Sequence, residues 1–248
     1  MYTVPKIFQQ FSELIAVESN RHGGISKAPY TSLNLGLFTE DKPENVQENR
    51  SRFFESLGIK SSRVAHSYQI HRDKILKVTR CKAYEGYDAL ISSNKNSFMS
   101  VTIADCVPVL VYDAKNQAVA AIHAGWKGTV ADITAKTIQM MQVEFNTNPA
   151  DCYAYIGTCI DESSFEVDEK VAETFAYEFK TLVKNGRKRK FFVDLKKANA
   201  AQLMKCGVPE NQIEISKFST VLDNQDYFSH RKEKGKTGRM MALIGVRK

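Results

Sequence analysis

The sequence predicts a mixed α/β or α+β fold, and three observations carry that reading. Segments with alternating apolar residues and segments with apolar residues every three or four positions take turns along the chain. No Pro/Gly/Ser-rich linker and no repeat period interrupts them, so one domain over residues 1–248 is the simplest organisation. At 248 residues, 43% hydrophobic and 25% charged, the chain is long and apolar enough to bury a core.

Residues 14–18 (LIAVE) read as a short strand. In 31–37 (TSLNLGL), Leu33, Leu35 and Leu37 alternate with Ser32, Asn34 and Gly36, the pattern of a strand with one buried face. Residues 42–57 predict a helix, with Pro43 in the first turn and Gly58 just past the end. Its apolar side carries Val46, Phe53 and Leu57; Asn49 and Arg50 interrupt that side, marking either a helix edge or part of a site. Two apolar runs, 99–104 and 109–112, flank Asp105-Cys106-Val107-Pro108, where proline removes a backbone donor and breaks a regular strand. Residues 117–123 (QAVAAIH) form a further strand ending before Gly125. Thr129 is expected to cap the next helix, whose inner face holds Val130, Ile133, Thr137 and Met141. After a strand at 153–157, the spacing of Val171, Phe175 and Phe179 predicts a helix over 168–179. A short strand at 191–193 leads into a helix from Asp194 to just before Gly207. Residues 214–218 and 240–246 close the fold as strands.

The net charge of +7 and a pI near 9.0 raise the question of nucleic acid. The basic residues concentrate at 184–190 (KNGRKRK), between an expected helix and strand, and at 230–239 (HRKEKGKTGR). Neither run carries interleaved aromatics that could stack bases, so solvated surface is the simpler account and a nucleic-acid partner is not expected. Five cysteines, an odd set without a C-x-x-C pair, argue against a disulfide framework and for a reducing compartment. The N-terminal MYTVPKIFQQFSEL has no basic stretch followed by a long apolar core, and no run approaches membrane-span length. A cytoplasmic protein is therefore expected.

Among five histidines, His71 and His123 stand in contexts that invite chemistry. His123 ends an apolar strand before Ala124-Gly125-Trp126, where side chains of α/β proteins reach a cleft, although a packed structural histidine also fits. Cys106 lies at a strand break beside Asp105; the ordinary alternative is an inert buried thiol. A thiolate there needs a compensating cation, which a metal ion would supply. If 66–71 is extended, Gln69 and His71 share one face and His66 points the other way. Separations of 35 and 17 residues exclude a finger or ribbon, but a three-ligand His/Cys/His site with an open fourth position is chemically sound. The GKTGR segment is not a phosphate loop, since His230 stands where the required earlier glycine would be. Arg231, Lys236 and Arg239 suit a phosphate or carboxylate, or form a basic surface turn.

Taken in order, HGGIS, YTSLNLGL, ENVQENR, Gln69-Ile70-His71, YDALIS, TIADCVPVL, AAIHAGWKGT, IGTCI and GKTGRM closely resemble the YfiH-like family, also described as the multicopper polyphenol oxidase laccase domain. The resemblance covers nearly the whole chain. It implies a single-domain layered α/β/α sandwich and a zinc-dependent enzyme of purine nucleoside metabolism. The implied activity is phosphorolysis of adenosine, inosine and methylthioadenosine, with adenosine deamination as a second activity. Its metal ligands match His71, Cys106 and His123. Two positions depart from the family pattern: Thr158, where members commonly have proline, and Ser164, where they have cysteine or a similar small residue.

On that resemblance, Asp105 becomes a candidate proton shuttle or orienter of the metal shell. Arg50, Arg231 and Arg239 are candidates to position phosphate, with Asn34 and Gln69 on sugar or base. Three alternatives compete with it. One is copper-dependent phenol oxidation, and another is a cysteine hydrolase acting on a peptidoglycan precursor, with Cys106 as nucleophile and His123 or His71 as base. The third is a basic RNA-binding protein without enzymatic activity.

Overall fold

The computed structural model describes residues 1–185 and 188–248. The chain opens with β1 (Tyr2–Thr3), β2 (Leu14–Ser19), α1 (Pro43–Ser56) and β3 (Val64–Tyr68). Short strands β4 (Ile75–Lys77), β5 (Ala83–Glu85) and β6 (Ala89–Ser92) precede the long β7 (Phe98–Ile103), β8 (Val107–Asp113) and β9 (Ala118–Ala124). Helices α2 (Trp126–Val130) and α3 (Ile133–Phe145) follow, then β10 (Cys152–Ile156), β11 (Glu166–Val167) and α4 (Glu169–Glu173). A hairpin of β12 (Lys180–Asn185) and β13 (Lys188–Val193), then α5 (Leu195–Lys205), β14 (Ile213–Ile215) and β15 (Met240–Val246) complete it.

One six-stranded sheet runs β1-β2-β15-β7-β3-β5, a second runs β14-β10-β8-β9-β6-β4, and β11-β13-β12 form a small third. Strand alternation shows how the two large sheets stack. In β8, Val107, Val109 and Val111 face Ile133 and Met141 of α3 and Leu203 of α5. Leu110 and Tyr112, pointing the other way, meet Met99, Val101, Ala242 and Ile244 of the first sheet. The outer face of that sheet, through Met241 and Leu243, takes Phe53 and Phe54 of α1. The fold is thus the expected mixed α+β sandwich, and its β layer is double. Burial of this kind contributes roughly 1.5–3 kcal/mol per large apolar side chain, so the stack holds the strand ends in fixed relation.

Several local expectations change. Residues 31–37 are not a strand: Ser32 and Leu33 donate to the Arg21 carbonyl and Leu35 to that of Arg239. Their alternation serves packing, with Leu33 and Leu35 buried under α1 and Leu37 exposed. The expected helix over 168–179 stops at Glu173, because beyond it the backbone is drawn towards the hairpin; Asp194 donates to the Phe179 carbonyl. Of the basic run at 184–190, residues 184–185 end β12 and 188–190 open β13, so it does not stand between a helix and a strand; Gly186 and Arg187 lie outside the described residues. Thr129 caps no helix. It is buried inside α2 and accepts from Asn199 Nδ2, while Asp132, at φ 58°, separates α2 from α3. Pro108 does not interrupt β8; it is the second residue of that strand, where a missing donor is tolerated. The closing strand at 213–215 is shorter than expected.

Candidate metal centre

His71, Cys106 and His123 meet at one end of the two-sheet stack. Cys106 lies where the chain crosses from β7 in the first sheet to β8 in the second, and His71 lies on the crossing from β3 to β4. His123, on β9 of the second sheet, pairs across to Pro108. The ligand atoms all lie within 4.8 Å of one another. His71 Nδ1 is 3.8 Å from Cys106 Sγ, and the two imidazole rings stand 4.7 Å apart at 76°. His71 is exposed, Cys106 half-buried and His123 buried, so the cluster opens to solvent on one side.

The local backbone is shaped for this meeting. His71 takes a left-handed conformation, φ 56°, so the extended segment expected there ends before it. Asp105 also has positive φ, at 89°. Its carboxylate accepts from Thr220 Oγ1 at 2.6 Å, Ser229 Oγ at 2.7 Å and the Arg231 backbone N–H at 2.6 Å. The turn before Cys106 is thereby tied to the C-terminal loop. Gly125 packs against the cluster: a Cβ there would stand 3.1 Å from His71 Nδ1 and 3.2 Å from Cys106 Sγ.

Sequence reasoning missed Asp88, fully buried directly ahead of β6, which accepts from His123 Nδ1 at 2.8 Å. Its trace in the sequence is the acid of YDALIS, standing immediately before the apolar run ALIS.

Electrostatics favour a metal-ready thiolate. Burial pushes the Cys106 thiol up, but the His123 charge and hydrogen bonds from His123 and His71 outweigh it and bring it down to about 6. For His123, burial works against the charged ring, and the Cys106 thiolate with Asp88 raises it to about 9. With its Nδ1 engaged by Asp88, His123 turns Nε2 towards the thiol. One sulfur and two imidazole nitrogens at this spacing fit a zinc-type site, and the three residues can hold a metal ion.

A cleft of about 540 Å³ opens above the cluster. Phe38, Tyr68, Trp126 and Phe165 line its walls, with Arg231 and Arg239 among its polar groups. Gln69 also lines it, but its amide is tied to Thr102 on β7 through three hydrogen bonds. Arg231 stacks over Phe165, 5.5 Å from the ring centre, and reaches the carbonyls of Ser164 and Glu166. Arg239 is anchored through Nη1 on the Thr237 and Gly238 carbonyls.

Two expected site residues do not line the cleft. Asn34 is fully buried, bonded to Thr39, Asp41, Gly36 and Arg239, so its amide braces the loop beneath α1. Arg50 is buried on α1, donates to the Leu35 carbonyl and lies over Phe54; burial lowers its guanidinium to about 10. The polar pair in the middle of α1 thus holds the preceding loop, Asn49 donating to the Ser32 and Asn34 carbonyls and Arg50 to that of Leu35.

Residues 15–247 match the family model described as multi-copper polyphenol oxidoreductase laccase. The chain belongs to this family. A Bacillus subtilis protein named purine nucleoside phosphorylase YlmD is 32% identical, covering 96% of this chain and 91% of its own. A Bacteroides thetaiotaomicron protein named purine nucleoside phosphorylase is 33% identical over 96% of this chain and 93% of its own. Among solved structures, Bacillus licheniformis hypothetical protein YfiH superposes with a TM-score of 0.91 at 33% identity, covering 96% of this chain and 95% of that one. YlmD from Geobacillus stearothermophilus gives 0.89 at 32% identity, over 97% and 94%. Among the described residues, no helix is long and apolar enough to cross a membrane, and all five cysteines are free.

Proposed function

We propose that this chain is a zinc-dependent purine nucleoside phosphorylase acting on adenosine, inosine and S-methyl-5'-thioadenosine, with adenosine deamination as a second activity. It would work as a single catalytic domain in the cytoplasm, on a small-molecule nucleoside and phosphate. The observation that carries this reading is a His/Cys/His cluster on the floor of a cleft walled by aromatic rings and flanked by two arginines. The purine nucleoside phosphorylase names of relatives at 32–33% identity support it.

His71, Cys106 and His123 would hold the ion, which when bound supplies a Lewis acid with one open position. Phe38, Tyr68, Trp126 and Phe165 offer flat faces to a purine. Arg231 and Arg239 bring positive charge to the same cleft and would orient phosphate for attack on the ribose carbon. The Asp105 carboxylate, engaged by Thr220, Ser229 and Arg231, serves better to hold the arginine loop than to shuttle protons. Zinc-loaded protein incubated with adenosine should yield adenine only when phosphate is present, and inosine independently of phosphate. A Cys106→Ala variant that loses zinc yet keeps full phosphorolysis would sink the metal-dependent reading.

Two further readings have an observation behind each. The alignment of Asp88, His123 and Cys106 is also that of a thiol nucleophile with its base and orienter. Alkylation of Cys106 that zinc does not block would favour that hydrolase. The family description names copper, but only two of five histidines meet here, too few for a multicopper centre. Stoichiometric copper with phenol turnover would replace zinc by a single copper ion.

A further inference from the structure

Two of the three proposed ligands converge on one buried carboxylate. Asp88 Oδ1 accepts from His123 Nδ1 at 2.8 Å and from the His71 backbone N–H at 2.9 Å. Oδ2 accepts from the backbone N–H groups of Arg72 at 2.9 Å and Ile70 at 3.3 Å. The Asp88 carbonyl in turn takes the His123 backbone N–H at 2.7 Å. Among the described residues, apart from the third ligand Cys106, no other side chain bonds to both histidine segments.

We propose that Asp88 is the positioning residue that presets both histidines for metal. Its Oδ1 keeps the proton of His123 on Nδ1 and so leaves Nε2 free for coordination. The same carboxylate gathers three successive N–H groups, 70 to 72, into the turn that holds His71 at φ 56°. Left to itself, a histidine backbone prefers negative φ, and His71 Nδ1 would swing away from Cys106. A single charge therefore sets one ligand through its ring and the other through its backbone. An amide at this place has one acceptor atom instead of two, and its NH₂ group would confront N–H donors on one side. The inference rests on the metal site proposed above and concerns what organises it.

The test compares zinc affinity, by competition with a chromophoric chelator, in the full-length wild type, Asp88→Asn and Asp113→Asn. Asp113 is a second fully buried aspartate, which accepts from the turn N–H groups of Lys115 and Asn116 at the opposite end of β8 from Cys106. The expected result is about 10–100-fold weaker binding in Asp88→Asn, the usual effect of losing such a partner, with Asp113→Asn close to wild type. Wild-type affinity in Asp88→Asn overturns the assignment while leaving the zinc site standing. An equal loss in both variants also overturns it, by showing a general effect on the fold. Absence of zinc binding in the wild type removes the metal reading itself and this one with it. If Asp88→Asn does not fold, nitrogen-15 NMR of zinc-loaded wild type decides. His123 should show a protonated Nδ1 and a metal-bound Nε2, and coordination through Nδ1 refutes the proposal.

Discussion

Gly125→Ala isolates the metal site from the rest of the fold. Gly125 has φ −68° and ψ 168°, ordinary values for any L-residue, so alanine introduces no backbone strain. What it introduces is a methyl group 3.1 Å from His71 Nδ1 and 3.2 Å from Cys106 Sγ, each inside normal contact distance. Both ligands must retreat by a few tenths of an ångström, whereas zinc–ligand distances tolerate only about 0.2 Å. Overpacking of this kind costs about 1–3 kcal/mol, which at 1.4 kcal/mol per decade is roughly 5–150-fold in zinc affinity. Without metal, exposed His71 can turn aside, and the remaining loss is that of glycine as the cap of α2, up to about 1 kcal/mol. For a chain of this size that lowers the Tm by roughly 2–4 °C. Chelator competition and thermal melts of the metal-free protein measure the two quantities separately. Unchanged zinc affinity in a folded Gly125→Ala protein would refute the placement of the ion between these three side chains.

Four other outcomes are expected. In metal-free protein, iodoacetamide labelling of Cys106 should rise with a midpoint near pH 6, against the thiol's ordinary 9.0; a midpoint above 8 contradicts the thiolate. The depressed thiol stabilises the fold fully above pH 9 and loses that contribution as pH falls through 6, whereas raised His123 contributes below 6.5 and loses it as pH rises through 9. These two dependences nearly cancel, so the metal-free Tm should vary little from this pair between pH 6.5 and 9, which a series of melts would check. Arg231→Ala should raise the phosphate KM about tenfold or more, the worth of one charge-assisted hydrogen bond, with a smaller change in nucleoside KM. Trp126, the only tryptophan, lines the cleft, so adenosine should quench intrinsic fluorescence; titration without any quenching argues against nucleoside in this pocket.

Much of the fold is legible because burial imposes its period on the chain. The valines of β8 and the unbroken apolar run of β15 mark strands buried on both faces, and Asp194 with Gly207 brackets α5. Periodicity misleads where something other than a ladder produces it. Leu33 and Leu35 alternate because they are wedged beneath α1, and Phe175 is buried without being helical. In the site, the three cluster residues stand out by residue type and motif, since few side chains combine sulfur and imidazole at strand ends. Asp88 gives less away: it lies in YDALIS, but its partners are the His123 ring on neighbouring β9 and three backbone N–H groups of the β3–β4 crossing, which only the tertiary fold brings to it. For Asn34 and Arg50 residue type leaves two roles open, binding substrate or bracing a loop, and their tertiary contacts lie in the loop.

The placement of Cys106 and His71 on separate crossings between the large sheets has a kinetic consequence. Both crossings join strands of different sheets and rest on long-range contacts, so the three donor groups are expected to gather late in folding. An ion bound there stabilises the native state without stabilising the barrier that leads to it. Zinc should therefore slow unfolding in step with its affinity while the refolding rate stays that of the metal-free chain. Such an ion would act as a late latch between two sheets, lengthening the life of the assembled fold without hastening its assembly.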